Sequence, residues 1–336
     1  MRSSFAGSIA GASLLATLIA ANGCSSSAES GAAAPSLGDG GLGPDGSLQE
    51  EDASAADATQ GGQADAGNVD APAFSGLHCP ASPCVVSLAA GGGHVCALID
   101  DHSVRCWGQN YAGELGIGTL DSGTIAPAQT PTPSKVAGLM GATAVAAGGY
   151  STGFGISCAI IGDAGTVCWG SNTKGVLGLG PNDGSAPMQS VSPLPLAATN
   201  VVQLALGGLF SCALTADGGV SCWGDDTDRQ LGRVLEAGSF DPTPTSVALP
   251  GAATAVATGI SHACALLADQ SIVCWGAADH GEIGQIVDGG VSTPHVVSGV
   301  MATQLSAGDV STCAITTAGG VSCWGGDQSG QLGRGD

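Results

Sequence analysis

The chain has 336 residues, with 28 Asp and Glu against 7 Lys and Arg, a net charge of −21, and only 4% aromatic residues. That balance opposes nucleic-acid binding, because displacing phosphate counterions needs clustered basic groups. Thirteen cysteines is an odd number, which in an oxidising compartment implies a disulfide framework with one cysteine left over.

Residues 1–23 read as a secretory signal peptide. Arg2 supplies the positive start, and the apolar run from Phe5 to Ala21 is short for a membrane span. The run ends in Ala21-Asn22-Gly23-Cys24, which resembles the lipobox of bacterial lipoproteins, whose cysteine is lipidated after cleavage. Gly23 fits that pattern; Ala21 and Asn22 depart from the usual Leu-Ala. Ser25, rather than Asp, follows the cysteine and resembles the class sorted to the outer membrane. The resemblance implies an exported protein with a lipid anchor at Cys24, in the outer membrane or at the cell surface; plain secretion is the alternative. Residues 24–75 carry nine carboxylates and no Lys or Arg among Ala, Gly and Ser, so they read as a disordered acidic tether.

Residues 76–336 are organised by one phrase read five times. Its copies run Cys96 to Cys106-Trp107-Gly108, Cys158 to Cys168-Trp169-Gly170, Cys212 to Cys222-Trp223-Gly224, Cys264 to Cys274-Trp275-Gly276 and Cys313 to Cys323-Trp324-Gly325. Eight residues after each Trp comes Leu115, Leu177, Leu231, Ile283 or Leu332, each followed by Gly. The Trp-to-Trp steps of 62, 54, 52 and 49 residues indicate a repeat architecture, with a β-propeller leading. Pairing Cys212 with Cys222 leaves Ala216-Asp217-Gly218 as a three-residue turn, and Gly218 supplies its left-handed position. His102, Ala164 and Gln270 take that place in three other copies, so those turns are expected to be different or strained. Small apolar runs such as Val201–Gly207 and Thr254–Gly259 suit strands near an axis. Pro-containing stretches such as Pro131–Val136, Pro193–Leu196, Pro242–Val247 and Thr293–Val297 suit outer edge strands.

The phrase Gly-x-x-[His/Ser]-x-Cys-Ala-Leu-x-x-Asp-Gly-x-Val-x-Cys-Trp-Gly, followed by Gly-x-Leu-Gly, resembles the repeat of the regulator of chromosome condensation. The resemblance runs from about Leu77 to Asp336 and implies an all-β propeller of four-stranded blades. That family usually closes seven blades; five are visible here. The fifth stops at Gly330-Gln-Leu-Gly-Arg-Gly-Asp336 and is expected to lack its outer strand unless residues 77–88 complete it.

Directly opposed residues on antiparallel strands have Cα atoms roughly 4.5–5.5 Å apart, within disulfide range. The expected bridges are therefore Cys96–Cys106, Cys158–Cys168, Cys212–Cys222, Cys264–Cys274 and Cys313–Cys323. Cys79 and Cys84 pair next, and Cys24 is left for the lipid. Metal binding is the alternative use of these cysteines, but the pairs have no regular His partner.

Catalytic chemistry finds little support, so the chain is read as no enzyme, with no cofactor and no metal. Asp217-x-Gly219-x-Ser221 resembles the Asp-box of sialidases. Beyond Arg2 only Arg105, Arg229, Arg233 and Arg334 exist, too few for a carboxylate-gripping arginine cluster. Asp217 and Asp269 read as turn formers. His94 and His262 share a place with Ile156 and Phe210 and read as packing residues. All five tryptophans, Trp107, Trp169, Trp223, Trp275 and Trp324, read as blade-to-blade packing. Asp225-Asp226-Thr227-Asp228 reads as a solvated loop, with calcium as its alternative. The expected function is a binding scaffold whose loops 109–130, 171–192, 225–241 and 277–292 meet a protein or glycan. An inhibitor of an enzyme such as a β-lactamase would need an aromatic cluster on one face; Tyr111 alone marks the first loop. Guanine-nucleotide exchange, implied by the family resemblance, would need a cytoplasmic partner and conflicts with export. A sialidase-like glycosidase is the remaining alternative.

Overall fold

The computed structural model describes residues 83–118, 128–180, 186–236 and 239–335. The signal segment, Cys24, the acidic tether and Cys79 lie outside these residues.

Each Cys-to-Cys phrase forms an antiparallel hairpin, and the two cysteines face each other in register in all five. A blade adds an inner strand before the hairpin and an outer strand after it. Blade one is β1 (Val85–Ala90), β2 (His94–Ile99), β3 (Val104–Gln109) and β4 (Gln129–Lys135); blade two is β5 (Ala144–Gly148), β6 (Ile156–Ile160), β7 (Thr166–Ser171) and β8 (Gln189–Pro195). Blade three is β9 (Val201–Leu206), β10 (Phe210–Thr215), β11 (Val220–Asp225) and β12 (Phe240–Ser246). Blade four holds β13 (Ala253–Thr258), β14 (His262–Leu267), β15 (Ser271–Gly276) and the first part of β16 (Val291–Ala307). The later part of β16 is the inner strand of blade five, which continues with β17 (Ser311–Thr316) and β18 (Val321–Gly325). The proline-bearing stretches are the outer strands, where a missing N–H leaves no ladder bond unmade.

Among the described residues, blade five therefore has three strands. The expectation that residues 77–88 might complete it fails from Val85 onward. Val85–Ala90 run antiparallel to β2 as the inner strand of blade one, the place that the apolar run before every other hairpin takes.

The turns explain how the phrase tolerates changes. His102 and Gln270 accept the left-handed conformation that Gly218 and Gly319 hold elsewhere, with φ of 62° and 74°. The second copy keeps the same closing bond, Ile161 N–H to the Gly165 carbonyl, and moves its left-handed residues to Gly162 and Gly165. Asp101, Asp217 and Asp269 each accept the N–H two residues on, from Ser103, Gly219 and Ser271. Those bonds, and the hydroxyls of the same turns, hold all three carboxyls below their ordinary pKa.

Successive inner strands lie side by side around an axis, β1 by β5, β5 by β9, β9 by β13 and β13 by β16. The glycine ending each of the first four inner strands is set by that closeness: a Cβ on Gly207 would stand 2.7 Å from the Gly259 carbonyl oxygen of the next blade. The apolar cores lie between blades rather than within them. Cys96, Leu98, Leu115 and Val136 of blade one pack with Ala159 and Trp169 of blade two, and the pattern recurs at the next three interfaces.

Candidate binding face

The loop following the third strand of each blade does two jobs. It locks the next blade, and it forms one face of the propeller. The lock starts with a side-chain oxygen that shapes the loop: Asn110, Asn172, Asp226 and Asp327 accept the N–H of Leu115, Leu177, Leu231 and Leu332 at 2.9–3.1 Å. A second oxygen, from Glu114, Gln230, Glu282 or Gln331, accepts the N–H two residues earlier at 2.8 Å. The carbonyl just before the leucine is then aimed at the next blade. It accepts the indole N–H of Trp169, Trp223, Trp275 and Trp324 at 2.8–2.9 Å. Trp169, Trp223 and Trp275 are fully buried, so these bonds also satisfy polar groups that water cannot reach. Four of the five tryptophans thus stand between blades. Trp107 has no blade before it among the described residues and is half-buried. The Asn/Asp-to-leucine cap was missed in the sequence, although its five-residue spacing recurs in four repeats.

His94 and His262 belong to this lock. Ser157 donates to the Glu114 carbonyl at 2.9 Å and so accepts from His94 Nε2 at 2.8 Å. Thr312 does the same between the Glu282 carbonyl and His262 Nε2 at 2.9 Å. These bonds fix the Nε2–H tautomer and leave both Nδ1 atoms buried with no partner among the described residues. Burial pushes both imidazoles down to about 4, against a smaller upward pull from the Ile156 backbone on His94. At the two interfaces without histidine, Ile156 precedes Ser211 and Phe210 precedes Ala263. Histidine therefore stands only where the next blade supplies Ser157 or Thr312 to receive it.

The ten hairpin cysteines stand in five pairs with S–S distances of 2.10–2.14 Å, all within single blades. The remaining expected pair includes Cys79, outside the described residues. Among the described residues, no group of three or more His, Cys, Asp or Glu is placed to hold a metal ion. The Asp225–Asp228 loop shows why: Asp225 meets Lys174 Nζ at 3.1 Å and accepts the Thr227 hydroxyl, while Asp226 caps Leu231. The arginines do not converge either. Arg233 bonds Asp241 and the Cys222 carbonyl, Arg229 bonds the Gly289 carbonyl, and Arg334 stands 4.0 Å from Asp327.

The face itself is marked by aromatics. Tyr111, Phe154 and Phe240 are 55%, 37% and 40% exposed, and all stand at the end of the blades that carries the long loops. Tyr150 joins them. The residues inserted before Cys158 carry its ring across to Gly208 of blade three, where its hydroxyl shares a hydrogen bond with the Ser261 side chain of blade four. Burial, together with the charges of Asp228, Asp225 and Asp309, raises its pKa. Gly153 brings the same insertion against Tyr111. A cleft of about 310 Å³ lies farther out, walled by Leu179, Pro187, Met188, Phe240 and Pro242, with Lys174 stacked 5.7 Å from the Phe240 ring centre. Parts of the long loops, 119–127, 181–185 and 237–238, fall outside the described residues.

Comparison with known proteins follows the same lines. Profiles described as "Regulator of chromosome condensation (RCC1) repeat" match residues 85–114, 201–230 and 253–282, and residues 101–154 and 167–214. The human E3 ubiquitin-protein ligase HERC2 is 28% identical over 231 residues, 66% of this chain and 4% of that protein. The probable E3 ubiquitin-protein ligase HERC4 of Mus musculus is 31% identical over 220 residues, 64% of this chain and 19% of that protein. The mitochondrial RCC1 domain-containing protein RUG3 of Arabidopsis thaliana is 28% identical over 204 residues, 59% of this chain and 43% of its own. The chain thus spans less than half of these relatives. Among solved structures, Prp20p from Saccharomyces cerevisiae superposes with a TM-score of 0.63 at 23% identity, over 75% of this chain and 60% of its own. Human WBSCR16 gives 0.61 at 22%, over 73% and 63%. Residues 85–154, 167–230 and 253–282 thus match RCC1 repeats, and the fold is that of an RCC1-like β-propeller.

Proposed function

We propose that this chain is a protein-binding scaffold that receives its partner on the loop face, and that it is displayed outside the cytoplasm on a lipid at Cys24. The observation that carries the first part is the placement of its aromatics. Among the described residues, every aromatic side chain other than Phe210 and the five tryptophans stands on that one face. Exposed aromatics on rigidly held loops are the common anchors of protein interfaces. Prp20p, which shares the fold, is described by its binding to Gsp1p and histones. This aromatic face also supports the inhibitor reading more than Tyr111 alone does; an inhibitor is one kind of protein binder. Among the described residues no catalytic constellation accompanies the face, and the expected export disfavours nucleotide exchange on a cytoplasmic partner.

The test is capture of a partner from cell-envelope extract by the full chain, repeated with Tyr111→Ala/Phe154→Ala. Losing one hot-spot aromatic costs about 2 kcal/mol or more, so capture should fall by well over tenfold. Capture that survives this variant and is lost on changing the opposite face sinks the reading. For the anchor, mass spectrometry of the mature N-terminus should find a diacylglyceryl group on Cys24; an unmodified N-terminus elsewhere refutes it.

A further inference from the structure

The ends of the five inner strands line a cavity of about 220 Å³ on the axis, opening on the loop face. Its wall is backbone, from Gly92, Gly149, Gly208, Ile260 and Asp309 among others. The hydrogen bonding around this mouth is one-sided. The N–H groups of Gly149, Gly208 and Ile260 are consumed by the carbonyls of Gly207, Ile260 and Asp309 in the following blades, at 2.8, 3.1 and 3.0 Å. Each of those carbonyl oxygens keeps a second lone pair, whereas these three donors are spent; the equivalent N–H groups of Gly92 and Asp309, at the two ends of the arc, are not part of this ladder. Along blades two to four the mouth therefore offers acceptors, which suits a cation.

The charged groups beside it agree. Of the carboxylates on this face, Asp225 is paired with Lys174, Asp241 with Arg233 and Asp327 with Arg334. Asp228 and Asp309 are exposed and have no ion-pair partner among the described residues. Both lie within electrostatic reach of the Tyr150 hydroxyl. The Tyr150 ring lies against Gly208, one of the residues that line the mouth. An aromatic ring against one lining glycine, two exposed carboxylates whose charges reach its hydroxyl, and a cavity lined with carbonyls match a flat cation with many donors.

We propose that the axial mouth takes an arginine side chain of the partner protein, with Asp228, Asp309 and the backbone carbonyls accepting from its guanidinium and the Tyr150 ring packing along it. This rests on the reading of the loop face as the protein-binding surface. The guanidinium has five donors and no acceptor, so it can use several of these oxygens at once.

The experiment measures binding of a fluorescent hexa-arginine peptide to the full chain by anisotropy at low ionic strength, with hexa-glutamate as the opposite probe. Asp228→Asn/Asp309→Asn should weaken hexa-arginine by about tenfold or more. Asp217→Asn/Asp269→Asn removes the same charge from the opposite face and should weaken it by less than about twofold. Equal losses in the two pairs, no binding by the unchanged chain, or preference for hexa-glutamate would each overturn the proposal. A separate arm keeps it distinct from the reading beneath it. If the envelope partner is lost with Tyr111→Ala/Phe154→Ala yet captured normally by Asp228→Asn/Asp309→Asn, the loop face stands and the arginine anchor falls.

Discussion

Acid should open the blade interfaces that contain His94 and His262, and the repeats themselves supply the control. In the folded chain both imidazoles are held neutral, near a pKa of about 4 against the ordinary 6.5. The folded state thus binds fewer protons than the unfolded one. Stability is complete above pH 6.5, falls as the pH drops toward 4, and levels off below that. At ~1.4 kcal/mol per pH unit, this gap corresponds to about 3 kcal/mol for each histidine. Both rings are almost wholly buried, so solvent screening takes little away. Glu114 and Asp226, whose carboxyls burial raises, act in the opposite direction, regaining stability as the pH falls into their own range. The perturbation is His262→Phe with Thr312→Ala, which installs at the blade four–five interface the Phe210–Ala263 pair already present between blades three and four. Phe210 is fully buried beside Gly207 in the place that His262 takes beside Gly259, so the ring fits. Denaturant unfolding followed from about pH 7.5 to pH 4.5 should show the pH dependence of stability reduced by roughly half in this variant. An unchanged slope, or stability that rises as the original chain is acidified from pH 6.5, would refute the reasoning.

Trp223→Phe keeps the ring but removes the indole donor at 2.8 Å from the buried Val176 carbonyl, which keeps the Ser211 hydroxyl at 3.3 Å, and should cost about 0.5–1.5 kcal/mol in thermal or denaturant unfolding. A loss as small as that of a surface change would show that the lock is packing alone. Gly207→Ala places a methyl against the buried Phe210 ring of its own blade and 2.7 Å from the Gly259 carbonyl oxygen of the next; a cost of about 1–3 kcal/mol is expected, against near neutrality if both the ring and the blade boundary yield freely. Non-reducing peptide mapping should recover the five bridges within hairpins, and each bridge removed as a Cys→Ala pair should cost roughly 2–3 kcal/mol. Bridges between repeats would be inconsistent with the register.

Much of the blade was legible because its signals are local. Ten residues from Cys212 to Cys222 with Gly218 midway dictate a hairpin register, and Pro242 and Pro244 dictate an edge strand. The buried place of His94 and His262 could be inferred from Ile156 and Phe210 at the same repeat position. What each histidine bonds could not, because Ser157 and Thr312 belong to the next repeat and the pairing shows only once blades are laid side by side. The tryptophan partners were hidden for the same reason: a carbonyl carries no mark in a sequence. Trp107 obeys the phrase and still differs, since its surroundings depend on a neighbour rather than on its own repeat. The aromatic face is hard to read in the sequence because Tyr150 and Phe154 sit between β5 and β6, in residues that the other repeats do not have.

The continuous β16 sets blades four and five apart from the others. Elsewhere the outer strand of one blade reaches the inner strand of the next through an irregular connection, residues 136–143, 196–200 and 247–252. Such a connection can absorb a change in backbone angle. Between blades four and five one 17-residue strand runs from outer rim to axis, but it bends on the way: Gly299 is left-handed with φ of 79°, and the register against β15 jumps from Val296 to Met301. β15 is bonded to β16 on both sides of that bend, and β17 takes over from Ala302. The joint between the last two blades is thus a single left-handed glycine held by pairing on both sides of it, so a tilt of blade five strains the Ser271–Met301 pairing of blade four directly.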